Sequence, residues 1–80
     1  MPEEELFKTE EQTERTTVAE ALREAADEIE SGDVQLVSGT QKQSVTVPEN
    51  PQFEVELERL TDSETGEQRY ELEYEIRWTK

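Results

Sequence analysis

Six glutamates fall at alternate positions of two segments: Glu54, Glu56 and Glu58 in "FEVELERL" (53–60), and Glu71, Glu73 and Glu75 in "RYELEYEIRW" (69–78). Paired carboxylates can act as general acid and general base when their environments push their acidities apart. These alternate along what reads as a flat, wet surface, where carboxylates are expected to keep ordinary acidity. Glutamate is so abundant here that no pair stands out as catalytic. A fainter signal is "DSETGE" (62–67), where Asp62, Glu64, Gly66 and Glu67 echo a calcium loop. It lacks the length, the ligand order and the closing glutamate of such a loop, and a hairpin turn accounts for Asp62, Ser63 and Gly66. With no cysteine and no histidine, thiolate chemistry, disulfides, the usual zinc sites and the ordinary neutral-pH base are absent. The chain is therefore expected not to be an enzyme, and to carry no cofactor and no metal site.

The second candidate surface is aromatic. Tyr70, Tyr74 and Trp78 share a parity with Leu72 and Ile76, so a strand places all five on one face. Tyrosine and tryptophan combine a large apolar body with a polar tip, which suits either a core wall or the anchor of an interface. From Tyr70 to Trp78 a strand runs about 27 Å, longer than the helix expected to cover it, so one end of the row could project as a contact.

Composition bounds what such surfaces can do. Eighty residues make one small domain, 1–80, whose acidic first five residues are expected to be flexible. The formal net charge is −14, and Lys8, Lys42 and Lys80 are the only lysines. Self-repulsion of that size opposes compaction in dilute buffer, but molar salt shortens the Debye length to about 3 Å. A halophilic, salt-filled cytoplasm is the expected setting, with cations gathering nonspecifically over the acidic surface. Direct nucleic-acid binding is disfavoured because no basic stripe exists to displace counterions. The opening "MPEEELFKTE" has no apolar run that would make a signal peptide, and no stretch is long and apolar enough to suggest a membrane partner.

The elements that would position these residues are legible. Thr17 reads as a helix N-cap with Glu20 three residues on, and Val18, Leu22, Ala25 and Ile29 recur at helical spacing. Ser31-Gly32 stops a helix of about 14 residues, or about 21 Å, with Gly32 suited to the left-handed position. "VQLV" (34–37), "SVTV" (44–47), "FEVELERL" and the closing segment read as strands, separated by "SGTQ", "PENPQ" and "TDSETGE". Leu6-Phe7 could form a first strand or an ordered arm. The expected fold is α+β: one amphipathic helix on one face of a four- to five-stranded, mainly antiparallel sheet, in the order β-α-β-β-β-β with a C-terminal meander.

Parity makes a sharper statement about the last two strands. If Phe53, Val55 and Leu57 point the same way as Tyr70, Leu72 and Tyr74, then Glu54, Glu56 and Glu58 must meet Glu71, Glu73 and Glu75. Like charges directly opposite destabilise a sheet. Only Arg69 and Arg77, at the two ends, can relieve the run.

"TTVAEALREAADEIESGDVQL", then "VTVPEN", "FEVELER" and "ELEYEIRW" together resemble the amphi-Trp domain family, small archaeal and bacterial proteins named for an amphipathic pattern and a late tryptophan. The resemblance runs from about Leu6 to Trp78 and rests on Val18, Ala19 and Leu22, on Gly32, on Val47-Pro48, and on Trp78. Thr17 departs from it, standing where the family often has an acidic residue before the Val-Ala pair. The resemblance implies a stand-alone domain and brings no activity with it. The functional expectation is a protein-interaction or self-association module, with a protein partner or a homodimer, for which Tyr70, Tyr74 and Trp78 are the candidate contacts. The alternative is an acidic nucleic-acid mimic that offers its six glutamates to a basic protein.

Overall fold

The computed structural model describes residues 2–80. In chain order these form α1 (Arg15–Ser31), β1 (Asp33–Ser38), β2 (Gln41–Thr46), β3 (Gln52–Thr61) and β4 (Gln68–Arg77). The class is α+β, as expected, but the four strands make two separate two-stranded antiparallel sheets, β1-β2 and β3-β4, rather than one. Pro48 and Pro51 explain the break. They flank the connection between β2 and β3, where each removes a backbone donor and fixes its own φ. The chain accordingly divides into two compact units, one ending at Glu49 and the other spanning Asn50–Lys80.

In the first unit α1 packs on β1. The helix starts three residues earlier than the Thr17 cap predicts: Glu14 is the N-cap, and no side chain caps it. Thr16 and Thr17 lie inside the first turn, and the first bond runs from the Val18 amide to the Glu14 carbonyl at 3.1 Å. The other end matches its reading. Gly32 adopts φ 96°, and its amide reaches the carbonyls of Glu28 and Ile29. Its own carbonyl accepts the Val47 amide at 2.8 Å, closing the helix end against the end of β2. Val47 is the buried hydrophobic residue among those described. The Glu28 carboxylate accepts the Gln35 amide at 2.9 Å, a further tie between α1 and β1. The β1-β2 loop is Gly39-Thr40, with positive φ at Gly39 alone, the pattern of a type II′ turn.

The predicted first strand does not form. Residues 2–14 have no regular structure, and the order is α-β-β-β-β. An ordered arm takes its place: the Lys8 amide and carbonyl bond to the side chain of Gln41, at 3.3 and 3.0 Å. A side-chain amide satisfies both main-chain groups, so no ladder is needed there. Pro2–Glu5 are exposed, and Met1 lies outside the described residues.

Candidate functional site: the β3-β4 hairpin

The second unit is one long hairpin. Its turn is built by Asp62, whose amide donates to the Glu67 carbonyl and whose carbonyl accepts from Gly66, at 2.8 and 2.9 Å. The Asp62 carboxylate accepts the amides of Glu64 and Thr65, and the Thr65 hydroxyl accepts that of Glu67. The calcium-like residues thus serve a turn, with the aspartate turned on its own backbone. Among the described residues no cluster of three or more acidic side chains could hold a metal ion.

This turn sets an unbulged register over ten pairs, from Gln52 opposite Arg77 to Thr61 opposite Gln68. Glu54 faces Glu75, Glu56 faces Glu73 and Glu58 faces Glu71. Among the described residues, cations reach only the ends of this face. Arg77 stands 3.6 Å from the Glu54 carboxylate and 3.3 Å from that of Glu75, and Arg69 is 3.5 Å from Glu71. The central pair, Glu56 and Glu73, makes no ion pair within 4 Å among the described residues.

That centre departs from the expectation of ordinary acidity. The Glu56 carboxyl is pushed up from 4.5 to about 7. The largest cause is a hydrogen bond with the Glu58 side chain, two residues along the same row. The charge of Glu58 comes next, then partial loss of solvent, then the charges of Glu54 and Glu73. A proton shared between two neighbouring carboxyls relieves repulsion that no nearby cation relieves. Counting positions between Arg69 and Arg77 would have singled out the central pair; the pairing of Glu56 with Glu58 along one strand needed coordinates.

The opposite face is apolar over most of its length. Phe53, Val55 and Leu57 oppose Ile76, Tyr74 and Leu72, with Arg59 against Tyr70 and Thr61 against Gln68 towards the turn. Phe53 and Tyr74 stack diagonally across the strands, with centroids 6.3 Å apart and planes at 11°. The Tyr70 hydroxyl donates to the Gln68 side chain at 3.2 Å. Most of this face is open to solvent: Leu57 is 68% exposed, Phe53 and Tyr70 each 61%, and Trp78, one residue past the end of β4, 37%. Of the three candidate contact residues, Tyr70 and Tyr74 share one face, joined there by Phe53, Val55 and Leu57 of β3, while Trp78 follows just beyond the ladder. The candidate acidic residues share the other.

The geometry defines a class: a small α+β protein with an antiparallel hairpin, amphipathic in cross-section and closed by a tryptophan. The chain belongs to the Amphi-Trp domain family, whose profile matches residues 1–80, its whole length. No curated protein and no solved structure matches it significantly.

Proposed function

We propose that this chain is a non-catalytic binding module, suited to a salt-rich cytoplasm, whose contact surface is the apolar face of the β3-β4 hairpin. One observation carries the reading. Phe53, Val55, Leu57, Tyr70, Leu72 and Tyr74 are each more than half exposed on one continuous face. A lone two-stranded hairpin is marginal in water, and a second layer on its apolar face is what makes such a sheet stable. At about 100 Å² apiece these six side chains present roughly 600 Å², the upper end of the largest apolar patch on a typical monomer. The aromatic content suits anchoring, and apolar contacts strengthen in salting-out electrolytes, whereas charge-based ones fade.

A second reading has its own observation, the six carboxylates held in register. Along each strand they recur about every 6.8 Å, so the two rows supply one charge per roughly 3.4 Å, half the axial density of duplex DNA. Three pairs at that density are a short and dilute imitation of a nucleic-acid backbone, so the apolar face is the stronger candidate. Reversing Glu54, Glu56, Glu73 and Glu75 to lysine would abolish mimicry, and partner binding retained in that variant would sink the mimic reading.

The test of the module reading uses the single tryptophan. Acrylamide quenching of Trp78 in molar potassium chloride is measured together with molecular mass. Trp78 accessible in the folded monomer, or shielded only in a higher-mass species, supports a binding surface. Trp78 shielded in a monomer at every concentration makes the face a core wall and overturns it.

A further inference from the structure

Resting on that reading, we infer that the occupant of the apolar face is a second copy of this chain, packed face to face so that two β3-β4 hairpins form a four-stranded, two-layer sandwich. Three observations point to it: the area of the face, where its charges lie, and its shape.

With roughly 600 Å² on each copy, apposition removes about 1,200 Å² from water, where specific protein interfaces begin. The two layers then supply each other with what a two-stranded sheet lacks, a second apolar surface about 10 Å away.

Charge decides between the ways two copies could meet. The six strand glutamates, with Arg69 and Arg77, lie on the face turned away from the apolar side, and Arg59, opposite Tyr70 towards the turn, is the one charge of the ladder on the apolar side. Face-to-face packing leaves the two carboxylate layers on opposite outer surfaces, about 20 Å apart. That is two Debye lengths at 0.1 M salt and several at molar salt, so they scarcely feel each other. Edge addition would instead bring a further glutamate row within about 4.8 Å of an existing one. It would multiply the repulsion already present between Glu56 and Glu73. Any foreign partner must likewise cover the apolar face without approaching the glutamates, a condition a second copy meets by symmetry.

The shape is self-complementary. The strands are equal in length, the ladder has no bulge, and along β4 the large Tyr70 and Tyr74 alternate with Leu72 and Ile76, while across the ladder Phe53 faces Ile76 and Val55 faces Tyr74. A two-fold axis lying between the layers and crossing the strands near Leu57 and Leu72 sets the Phe53 and Tyr74 end of each hairpin over the Tyr70 end of its partner. This is an isologous interface, which closes at two copies.

Sedimentation equilibrium of the full chain in molar potassium chloride, from micromolar to millimolar, tests the inference. The expected result is a reversible shift from one chain mass to two. Leu72→Arg, at the centre of the face, weakens association at least about 100-fold because both copies lose a buried leucine. Glu73→Lys, its neighbour on the outer face, leaves association within about threefold at that salt, where the outer charges are screened. Should Leu72→Arg fail to fold by circular dichroism, Val55→Thr, of the same shape, weakens association in the same direction by about tenfold. A dimer that survives both apolar-face changes overturns face packing. A wild-type monomer with an accessible Trp78 overturns the second copy but leaves a binding surface for another partner. A monomer with Trp78 shielded overturns the inference and the module reading together.

Discussion

Glu73→Gln removes one charge from the central carboxylate pair and should stabilise the hairpin in a salt-dependent way. Glu73 lies directly opposite Glu56, and the nearest ion pairs are those of Arg77 and Arg69 towards the ends of the row. Side chains directly opposite in an antiparallel ladder stand about 5 Å apart. Well above pH 7, where Glu56 too is ionised, two unit charges at that distance in water repel by about 0.8 kcal/mol. A Debye length of about 10 Å at 0.1 M salt leaves roughly 0.5 kcal/mol of this, and one of about 3 Å at 1 M leaves under 0.2 kcal/mol. With a urea dependence near 1 kcal/mol per molar, the midpoint should rise by about 0.5 M at the lower salt and by less than about 0.2 M at the higher. The transition is followed through the amide resonances of β3 and β4, which report on the hairpin alone. In the same samples the Glu56 carboxyl should titrate at lower pH than in the wild type, though still above the ordinary range, because Glu58 beside it remains the main cause of the shift. A midpoint gain equal at both salts would mean that glutamine acts through packing or strand propensity. A loss of stability would refute the repulsion argument outright.

The same carboxyl fixes a pH dependence. Folded Glu56 holds its proton up to about pH 7, against 4.5 ordinarily, so between those values the folded hairpin binds more protons than the unfolded chain. Its stabilisation is full below about pH 4.5 and is lost as pH rises through 7; urea midpoints at the two ends of that window should differ in this sense in the wild type and converge in Glu56→Gln. In the first unit, Gly32→Ala should destabilise by about 1–2 kcal/mol, because φ of 96° penalises any Cβ even though Val47, the nearest neighbour, would stand 3.9 Å away. That corresponds to a melting temperature lower by roughly 5–15 °C on helix ellipticity, and an unchanged melt would show that α1 can end in another way.

Helix, strands and register were legible because each has a local cause. Val18, Leu22, Ala25 and Ile29 carry the helical period, Gly32 the left-handed stop, and Asp62 with Gly66 the turn. Parity alone then forced glutamate against glutamate once the turn admitted no bulge. The helix start was misread because Thr17 and Glu20 fit a capping box that the chain does not use: a backbone turn from Glu14 closes without a side chain. The extra strand was misread because Leu6-Phe7 resembles a strand, while the bond partners of Lys8 sit on Gln41, 33 residues away.

The sequence by itself determined the α+β class, the two-faced character of the last hairpin and the excess of carboxylates, since period, parity and composition are local quantities. Only the tertiary structure decided that β1-β2 and β3-β4 are separate sheets, that the arm rests on a side chain, and that Glu56 holds a proton to about pH 7. These depend on which groups meet across space and on how many cations come near them, and neither is written in the order of residues along the chain.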